Sequence, residues 1–230
     1  MDVIHATGID GARQASGIAV VIDVLRSFTV SAYALAGGAR ECRLVTTTAE
    51  ARAIAASIPG ALLSAEENAL PIPGIPISNS PTKLLEEPEL KDRVLVQRSS
   101  AGTQVAAAVR PEIDIFAASL VVARATVQAC LFRRPAVLTL IASADHPEDH
   151  ACARYMEALV RGEKPDVERL LQPLRDSERY QRVMSNAWPG FPPTDLELSL
   201  MPDRFTFAMP VTREPTYLQL TRADQADPSQ

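Results

Sequence analysis

Residues 18–26 read Ile-Ala-Val-Val-Ile-Asp-Val-Leu-Arg, an apolar run that ends in an acidic and a basic side chain. A short continuous apolar run is typical of a strand that is buried on both faces of a parallel sheet. A carboxylate at the end of such a strand costs free energy unless it is paired or binds a cation. Asp23 and Arg26 could form an internal salt bridge. The strand end also faces the predicted ligand crevice, which favours a functional role for both residues.

Two further apolar runs end in polar clusters. Val94-Leu-Val96 leads to Arg98-Ser-Ser-Ala-Gly-Thr103, and Val137-Leu-Thr-Leu-Ile141 leads to an acidic cluster within residues 145–150. In open parallel sheets the carboxyl ends of the strands form the ligand crevice. The sequence therefore predicts that carboxylates, arginines and a hydroxyl-rich glycine loop gather on one rim. These groups suit a divalent cation and a phosphate.

The alternation of strand and helix patterns predicts an α/β fold, a three-layer α/β/α sandwich with a mostly parallel or mixed sheet. The last third contains charged helical stretches and then two short strand patterns, Phe205–Met209 and Thr216–Leu220, which indicate a hairpin or an edge addition. We expect three parts: a core with the site at residues 1–162, a C-terminal appendage of helices and short strands packed on it at 163–222, and a disordered tail at 223–230.

The loop from Arg98 to Thr103 is a candidate anion site. Its hydroxyls and backbone N–H groups lie before a predicted helix, where amides and the helix dipole attract negative charge. Arg98 would add a fork of donors for phosphate oxygens. An ordinary helix cap by Ser or Thr explains the same residues equally well. The loop lacks the Gly-Lys-Ser/Thr ending of a P-loop, and the chain has no Gly-x-Gly-x-x-Gly fingerprint.

Two further clusters, at residues 66–68 and 77–81, could belong to the site or could have a purely structural role. Glu66, Glu67 and Asn68 could place one carboxylate on Mg²⁺, but on residues alone a solvated loop is the better interpretation. The stretch Ile77-Ser-Asn-Ser-Pro81 could supply amide and hydroxyl donors. An Asx or Ser turn before the proline is an equally good interpretation.

The acidic cluster at residues 145–150 is Asp-His-Pro-Glu-Asp-His. Mixed carboxylate and imidazole groups can indicate a transition metal, whereas the alternative is an acidic helix start with exposed histidines. We assign Glu148 and Asp149 to the site and regard His146 and His150 as incidental.

Composition narrows the function classes. The 230-residue chain is 47% hydrophobic with a net charge of −5 and 5% aromatic residues, which argues against a nucleic-acid surface. No apolar run is long enough to span a membrane, and the N-terminus lacks the pattern of a signal peptide, so a cytoplasmic protein is expected. The sequence does not determine the oligomeric state; a homodimer is one option.

In this order, the clusters resemble the 2-phosphosulfolactate phosphatase family. The matching pieces are Val21–Arg26, Asn79–Pro81, Ser100–Thr103, Ala118–Leu120 with Ala125-Thr126, and Glu148-Asp149 followed by Cys152-Ala153. The resemblance implies a three-layer α/β fold and a Mg²⁺-dependent phosphatase. Members convert 2-phosphosulfolactate to sulfolactate and phosphate, a step towards coenzyme M.

The chain departs from the family pattern at three places. Ala65-Glu66-Glu67 stands where the family has Gly-Glu-Arg, so Glu67 reverses a local charge. Ala101 replaces an Asn in the loop, and residues 143–147 replace a Gly-Arg-rich stretch. These elements would select the substrate, so the phosphatase class is better supported than the named substrate.

The resulting hypothesis is a metal-assisted phosphomonoesterase that acts on a small phosphorylated hydroxy acid. The expected catalytic residues are Asp23, Arg26, Glu66 and Asp149, and the expected Mg²⁺ ligands are Asp23, Glu66 and Glu148. The expected substrate-binding residues are Asn79, Ser80, Arg98, Ser99, Ser100, Gly102, Thr103 and Ser119. The alternatives are a non-catalytic protein that binds phosphorylated metabolites and a phosphatase with a different substrate.

Overall fold

A mixed sheet of eleven strands crosses the protein, and the computed structural model describes residues 1–224. The strands are β1 Asp2–Thr7, β2 Ile18–Ile22, β3 Glu41–Val45, β4 Leu62–Glu67, β5 Leu70–Pro71, β6 Val94–Arg98, β7 Asp114–Ala118, β8 Val137–Ala142, β9 Phe207–Arg213, β10 Leu218–Leu220 and β11 Ala223–Asp224. The helices are α1 Gly8–Arg13, α2 Ser27–Ala36, α3 Thr48–Ser57, α4 Pro81–Leu85, α5 Gly102–Ala108, α6 Ala123–Phe132, α7 Pro147–Val160, α8 Val167–Arg175, α9 Glu178–Met184 and α10 Thr194–Ser199.

The parallel strands form two groups. The first group has the order β1-β8-β2-β7, and the second has the order β3-β6-β4. Neighbours within each group are parallel, as in the pairing of β2 with β7 and β8 and of β3 with β6. The apolar runs at residues 18–22, 94–96 and 137–141 are therefore strands of parallel groups, as the sequence predicts.

A C-terminal hairpin, β9 and β10, joins the two groups at the centre of the sheet. Strand β9 pairs with β7, β10 pairs with β9, and β3 pairs with β10, all antiparallel. The hairpin alternative is thus the observed one, and an edge position is excluded. Three successive antiparallel pairings also make the two parallel groups run in opposite senses. The division into a core and an appendage stays a prediction, but this hairpin belongs to the central sheet.

Strand ends of both groups nevertheless meet, because the backbone N–H of Gly102 after β6 donates to the Asp23 carboxylate after β2. Five strand-to-strand steps separate β2 from β6. A twist of about 20–25° per step turns one group through roughly 100–125° relative to the other. Twist changes the relative direction of the two groups, and the contact of Gly102 with Asp23 shows that their strand ends meet although a flat sheet would hold them apart.

Helices cover both faces of the sheet and give three layers. Along β2, Ala19 and Val21 belong to one core, which includes Phe28 of α2. The alternate residues Val20 and Ile22 belong to a second core, which includes side chains of α6, α7, α8 and α9. This division follows from the two-residue period of a strand and confirms the predicted α/β/α architecture.

Several elements differ from the sequence prediction. The sequence analysis left strand β1 and helix α1 unassigned. Strand β1 forms one end of the sheet beside β8, and α1 follows it directly. Ala223 and Asp224 pair with β9, so the predicted disordered tail is wrong at these two residues, and residues 225–230 lie outside the described part of the chain. Within residues 1–224, every helix falls short of the length and apolar character that a membrane crossing requires.

The central position of the hairpin can be tested with a methionine pair. Met209 of β9 is fully buried, whereas Met184 at the end of α9 is 49% exposed. Met209→Ala is expected to lower the free energy of unfolding by about 2–5 kcal/mol because it leaves a cavity in the sheet. Met184→Ala, the matched control, is expected to change it by less than about 0.5 kcal/mol. Urea unfolding measures both, and equal small effects would contradict a central β9.

Candidate active site

A cavity of about 250 Å³ lies where the loops after β2, β4, β6 and β8 meet a C-terminal segment. Acidic, basic, hydroxyl and aromatic side chains surround it. The lining residues are Asp23, Leu25, Arg26, Ser27, Glu66, Asn68, Ala69, Asn79, Ser99, Ser100, Ala101, Ser143, His146, Asp149, Arg179, Trp188 and Phe191. The structure therefore brings together most of the residues that the sequence analysis singled out.

Asp23 is held by the backbone at the start of two helices. Its Oδ1 accepts a hydrogen bond from Ser27 N at 3.0 Å, and its Oδ2 accepts one from Gly102 N at 2.9 Å. Gly102 is needed for this approach, because a Cβ there would lie 2.5 Å from Asp23 Oδ2. Burial, with a smaller contribution from Glu66, raises the pKa of Asp23 from 3.8 to about 6.

Asp149 lies at the start of α7 and reaches the loop after β2. Its Oδ1 accepts a hydrogen bond from Val24 N at 2.8 Å, and its Oδ2 accepts one from Ser143 Oγ at 2.9 Å. Burial and then the nearby charge of Asp23 raise the pKa of Asp149 well above its ordinary value. Two buried carboxyl groups thus face one cavity, and the charge of Asp23 makes the ionisation of Asp149 more costly.

Glu66 is buried, so the solvated-loop interpretation of residues 66–68 is wrong for this side chain. Its Oε1 accepts a hydrogen bond from Ser100 N, and its Oε2 accepts one from Ala69 N, both at 2.5 Å. The amides of Ser100 and Gly102 therefore hold carboxylates of the protein itself. Two backbone donors of the loop at residues 98–103 are thus engaged within the protein, and binding of a phosphate by this loop stays a prediction.

Arg26 pairs with Asp195, not with Asp23, so the internal salt-bridge alternative is wrong. Its Nη1 lies 2.7 Å from Asp195 Oδ2 and also donates to Gly190 O at 2.6 Å. Phe191 lies against the guanidinium at 4.0 Å. Within residues 1–224, the Nε and Nη2 donors of Arg26 make none of the hydrogen bonds found. These donors remain for a ligand in the cavity that Arg26 lines.

Ser27 is a further hydroxyl on the cavity wall that the sequence analysis did not select. Its side chain is 1% exposed, and its Oγ has no hydrogen-bond partner within the described residues. A buried hydroxyl without a partner costs free energy, which a ligand oxygen in the cavity would recover. Its position directly after Arg26 is the only sequence signal that could have identified it.

The C-terminal segment completes the cavity, although the sequence there shows no recognisable signal. Arg179, Trp188 and Phe191 all belong to its wall. Asp195 of α10 is fully buried and also accepts hydrogen bonds from Ser80 Oγ at 2.7 Å and from Thr82 N at 3.0 Å. These partners are more than 100 positions apart in the chain, so no local pattern could have revealed them.

The two histidines of the acidic cluster differ. His146 lines the cavity, so its interpretation as incidental is wrong in position. Its pKa is lowered by burial and by the nearby positive charge of Arg179. The ring of His150 instead pairs with the exposed Asp145 at 2.8 Å, outside the cavity wall as the structure describes it.

Several predicted substrate-binding residues form hydrogen bonds within and between the loops around the cavity. Ser99 Oγ and Thr103 Oγ1 each accept a hydrogen bond from the other residue's backbone N–H, at 3.0 Å. The side-chain amide of Asn79 donates a hydrogen bond to Arg98 O at 2.8 Å, and the Arg98 side chain donates one to the backbone carbonyl of Glu66. Within residues 1–224, six of the predicted site residues are absent from the cavity wall: Ser80, Arg98, Gly102, Thr103, Ser119 and Glu148. Their contact with a substrate stays a prediction.

The acidic side chains at the cavity limit how a magnesium ion could be held. Within residues 1–224, no group of three or more His, Cys, Asp or Glu side chains is arranged to hold a metal ion, so Asp23, Glu66 and Glu148 do not form such a set. Glu148 lies against Arg179, with its Oε1 at 3.1 Å from Arg179 Nε. Asp23 and Glu66 both line the cavity, and Mg²⁺ commonly uses one or two carboxylates with water and phosphate oxygens. A two-carboxylate site fits these residues.

Comparison with known proteins gives a consistent result. A family model described as 2-phosphosulpholactate phosphatase matches residues 5–186. "Probable 2-phosphosulfolactate phosphatase" of Bacillus subtilis (strain 168) is 34% identical over 150 residues, which cover 63% of this chain and 64% of that protein. The protein of the same name from Carboxydothermus hydrogenoformans is 33% identical over 148 residues, 63% of this chain and 61% of its own. The matches thus span somewhat less than two thirds of these relatives.

The raised pKa of Asp23 predicts a pH dependence of stability. The unfolded chain releases this proton near 3.8 and the folded chain near 6, so folding becomes less favourable as pH rises from about 4 to about 6. Asp23→Asn should flatten this slope, because the variant has no proton to release there. Urea unfolding at several pH values, with a chelator present, measures the slope. An unchanged slope in the variant would contradict the raised pKa.

The buried pair of Arg26 and Asp195 predicts a large cost for losing one partner. Arg26→Ala is expected to lower the free energy of unfolding by about 3–5 kcal/mol, because Asp195 stays buried without a counter-charge. Arg26→Met combined with Asp195→Asn should recover part of this loss. Arg13→Ala is the matched control, since its Asp10 partner is 87% exposed, and should cost less than about 1 kcal/mol. Equal losses for Arg26→Ala and Arg13→Ala would contradict the buried pair.

Proposed function

The chain belongs to the 2-phosphosulpholactate phosphatase family, and on this premise we propose that it is a phosphoric monoester hydrolase. Its proposed substrate is 2-phosphosulfolactate or a related phosphorylated hydroxy acid, as the names of its relatives suggest. The observation that carries the proposal is the cavity itself, where Asp23, Asp149 and free donors of Arg26 converge.

Each of these groups has a role in the hydrolysis of a phosphate ester. Arg26, through its Nε and Nη2 donors, would hold the phosphoryl oxygens and stabilise the charge that develops on them. The unpartnered hydroxyl of Ser27 would add a neutral donor at the same wall. As water forms the new bond to phosphorus and the ester P–O bond breaks, Asp149, with its raised pKa, would deliver the proton of its carboxyl group to the leaving oxygen, and the water would release a proton to solvent.

Mg²⁺ is part of this proposal. Asp23 and Glu66 would hold the ion; Asp149, a further candidate ligand, would join them only in its ionised form, in which it does not act as the acid. When bound, the ion supplies neutralisation of phosphoryl charge and a more acidic water. The support is electrostatic: after burial, the nearby charge of Glu66 also raises the pKa of Asp23, so these two carboxylates repel each other. A divalent cation would remove this repulsion.

The choice of substrate within the class follows from the altered loops. Ala101 lines the cavity and has no side-chain donor where the family pattern has an amide. Glu67 is exposed and accepts a hydrogen bond from Thr48 Oγ1 at 2.8 Å. The change at Ala101 favours a substrate that differs from 2-phosphosulfolactate over a loss of catalysis, because Asp23, Arg26 and Asp149 remain; Glu67 lies outside the cavity wall described here. A role in coenzyme M biosynthesis, a cytoplasmic location and a homodimer stay predictions.

Phosphate release tests the proposed function. The substrates are 2-phosphosulfolactate, 2-phospholactate and phenyl phosphate, each with Mg²⁺ and with a chelator. Asp23→Asn should reduce release at least 100-fold, on the order of the loss of one essential catalytic group. Asp145→Asn is the matched control, because Asp145 is exposed and outside the cavity wall described here, and should retain activity.

Each outcome of this experiment is informative. Chelator-sensitive release that Asp23→Asn loses would support both the phosphatase and the metal. Release that the chelator leaves unchanged would refute the Mg²⁺ dependence alone. No release from any ester with Mg²⁺ or Mn²⁺, by protein shown to be folded, would refute the phosphatase and favour a binding protein.

A further inference from the structure

Two cations line the cavity, and they are engaged differently. Arg26 is neutralised within the protein by the fully buried Asp195. Arg179 of α9 lies on the same wall, and 17% of its side chain is exposed. A phosphorylated hydroxy acid carries a carboxylate, or a sulfonate, in addition to its phosphoryl group. If Arg26 holds the phosphoryl group, the second anionic group needs another partner.

The guanidinium of Arg179 is placed by contacts that leave part of it unused. Its Nη2 donates to Leu25 O at 3.2 Å, and its plane lies 5.3 Å from the Trp188 ring. Its Nε lies 3.1 Å from Glu148 Oε1, but the angle does not allow a hydrogen bond. Within residues 1–224, its Nη1 has no hydrogen-bond partner among those found. Arg179 is thus fixed in direction and retains an available donor.

Glu148, the ion-pair partner of Arg179, also lacks hydrogen bonds. Its side chain is 1% exposed, and neither carboxylate oxygen has a hydrogen-bond partner within the described residues. A buried carboxylate normally accepts several hydrogen bonds, so charge attraction alone holds this pair. Glu148 therefore keeps Arg179 at the cavity without saturating its donors.

The charge of Arg179 also reaches the other groups of the site. It is one cause of the lowered pKa of His146, and it acts against the upward shift of the pKa of Asp23. Arg182, on the same helix, differs in this respect. It packs on Trp188 at 4.6 Å but is absent from the cavity wall as described. The two arginines therefore share a helix and an aromatic partner, and only Arg179 faces the cavity.

We propose that Arg179 is a specificity-determining residue that binds the second anionic group, carboxylate or sulfonate, of a phosphorylated hydroxy acid. This inference rests on the proposed function, since it assigns a role at the same cavity. The site would then bind two anionic groups of one substrate, with Arg26 at the phosphoryl group and Arg179 at the second anion. A simple aryl phosphate would use only the first of these contacts.

The test compares two substrates in one variant. The kcat/KM for 2-phospholactate should fall roughly 10- to 100-fold in Arg179→Gln, the usual range for losing a charge-assisted hydrogen bond, and mostly through KM. The kcat/KM for phenyl phosphate, which has no second anion, should change less than about threefold. Arg182→Gln, the matched control, should leave both substrates unaffected.

A second variant protects the test against a folding defect. Arg179→Gln leaves Glu148 buried without its counter-charge, so Arg179→Gln combined with Glu148→Gln is measured in parallel after its thermal unfolding is recorded. Arg179→Lys should retain part of the preference, because it keeps the charge but not the fork of donors. An equal loss for both substrates in the single and double variants would overturn the inference, since it would indicate a purely structural role.

The result is separable from that of the proposed function. If the wild-type protein releases no phosphate, the proposed function fails, and binding of 2-phospholactate and phenyl phosphate is measured by calorimetry. A wild-type preference for 2-phospholactate that Arg179→Gln abolishes would still support the role of Arg179. No preference, or a preference that the variant keeps, would refute it.

Discussion

The loop after β2 is buried, and its polar groups must find partners inside the protein; most of the remaining structure follows from this constraint. Residues 23–26 carry two charged side chains and a full set of backbone groups in a region that water does not reach freely. Asp149 accepts from Val24 N, Arg179 donates to Leu25 O, and Asp195 pairs with Arg26. Three distant segments are thus drawn to one loop, because a buried polar group without a partner is costly.

The sequence predicts the elements well because their signals are local. Apolar runs identify β2, β6 and β8, and the polar residues at their ends identify Asp23 and Asp149 as members of one site. The partners of the buried charges, in contrast, have no local signal in the sequence. The pairing of Arg26 with Asp195 spans 169 positions, and Asp195 alone resembles an ordinary surface charge. Arg179 and Asp195 could therefore be found only after the chain is folded.

The prediction of a single rim is correct in outcome, but the structure reaches it by another route. A purely parallel sheet would have placed all carboxyl ends on one edge. Here the β9–β10 hairpin separates two parallel groups and reverses their relative sense. Hairpin strands come from the last part of the chain, and their central position depends on long-range pairing that no strand pattern encodes. Strand ends of the two groups meet all the same, as the hydrogen bond from Gly102 N to Asp23 shows.

The balance of acidic and basic side chains in the cavity determines how favourably a phosphate can bind there. Asp23, Glu66 and Asp149 contribute three acidic side chains to the wall, and Arg26 and Arg179 contribute two basic ones. Loop amides that resemble an anion site already serve two of these carboxylates. A phosphate dianion would therefore meet net negative charge unless the carboxyl groups hold protons or a cation lies among them. Protons compensate best below the raised pKa of Asp23, about 6, whereas a cation binds best above it, once the carboxylate is ionised. At neutral pH Asp23 is mostly ionised, so the proposed Mg²⁺ would supply compensating charge beside it, while Asp149 keeps its proton.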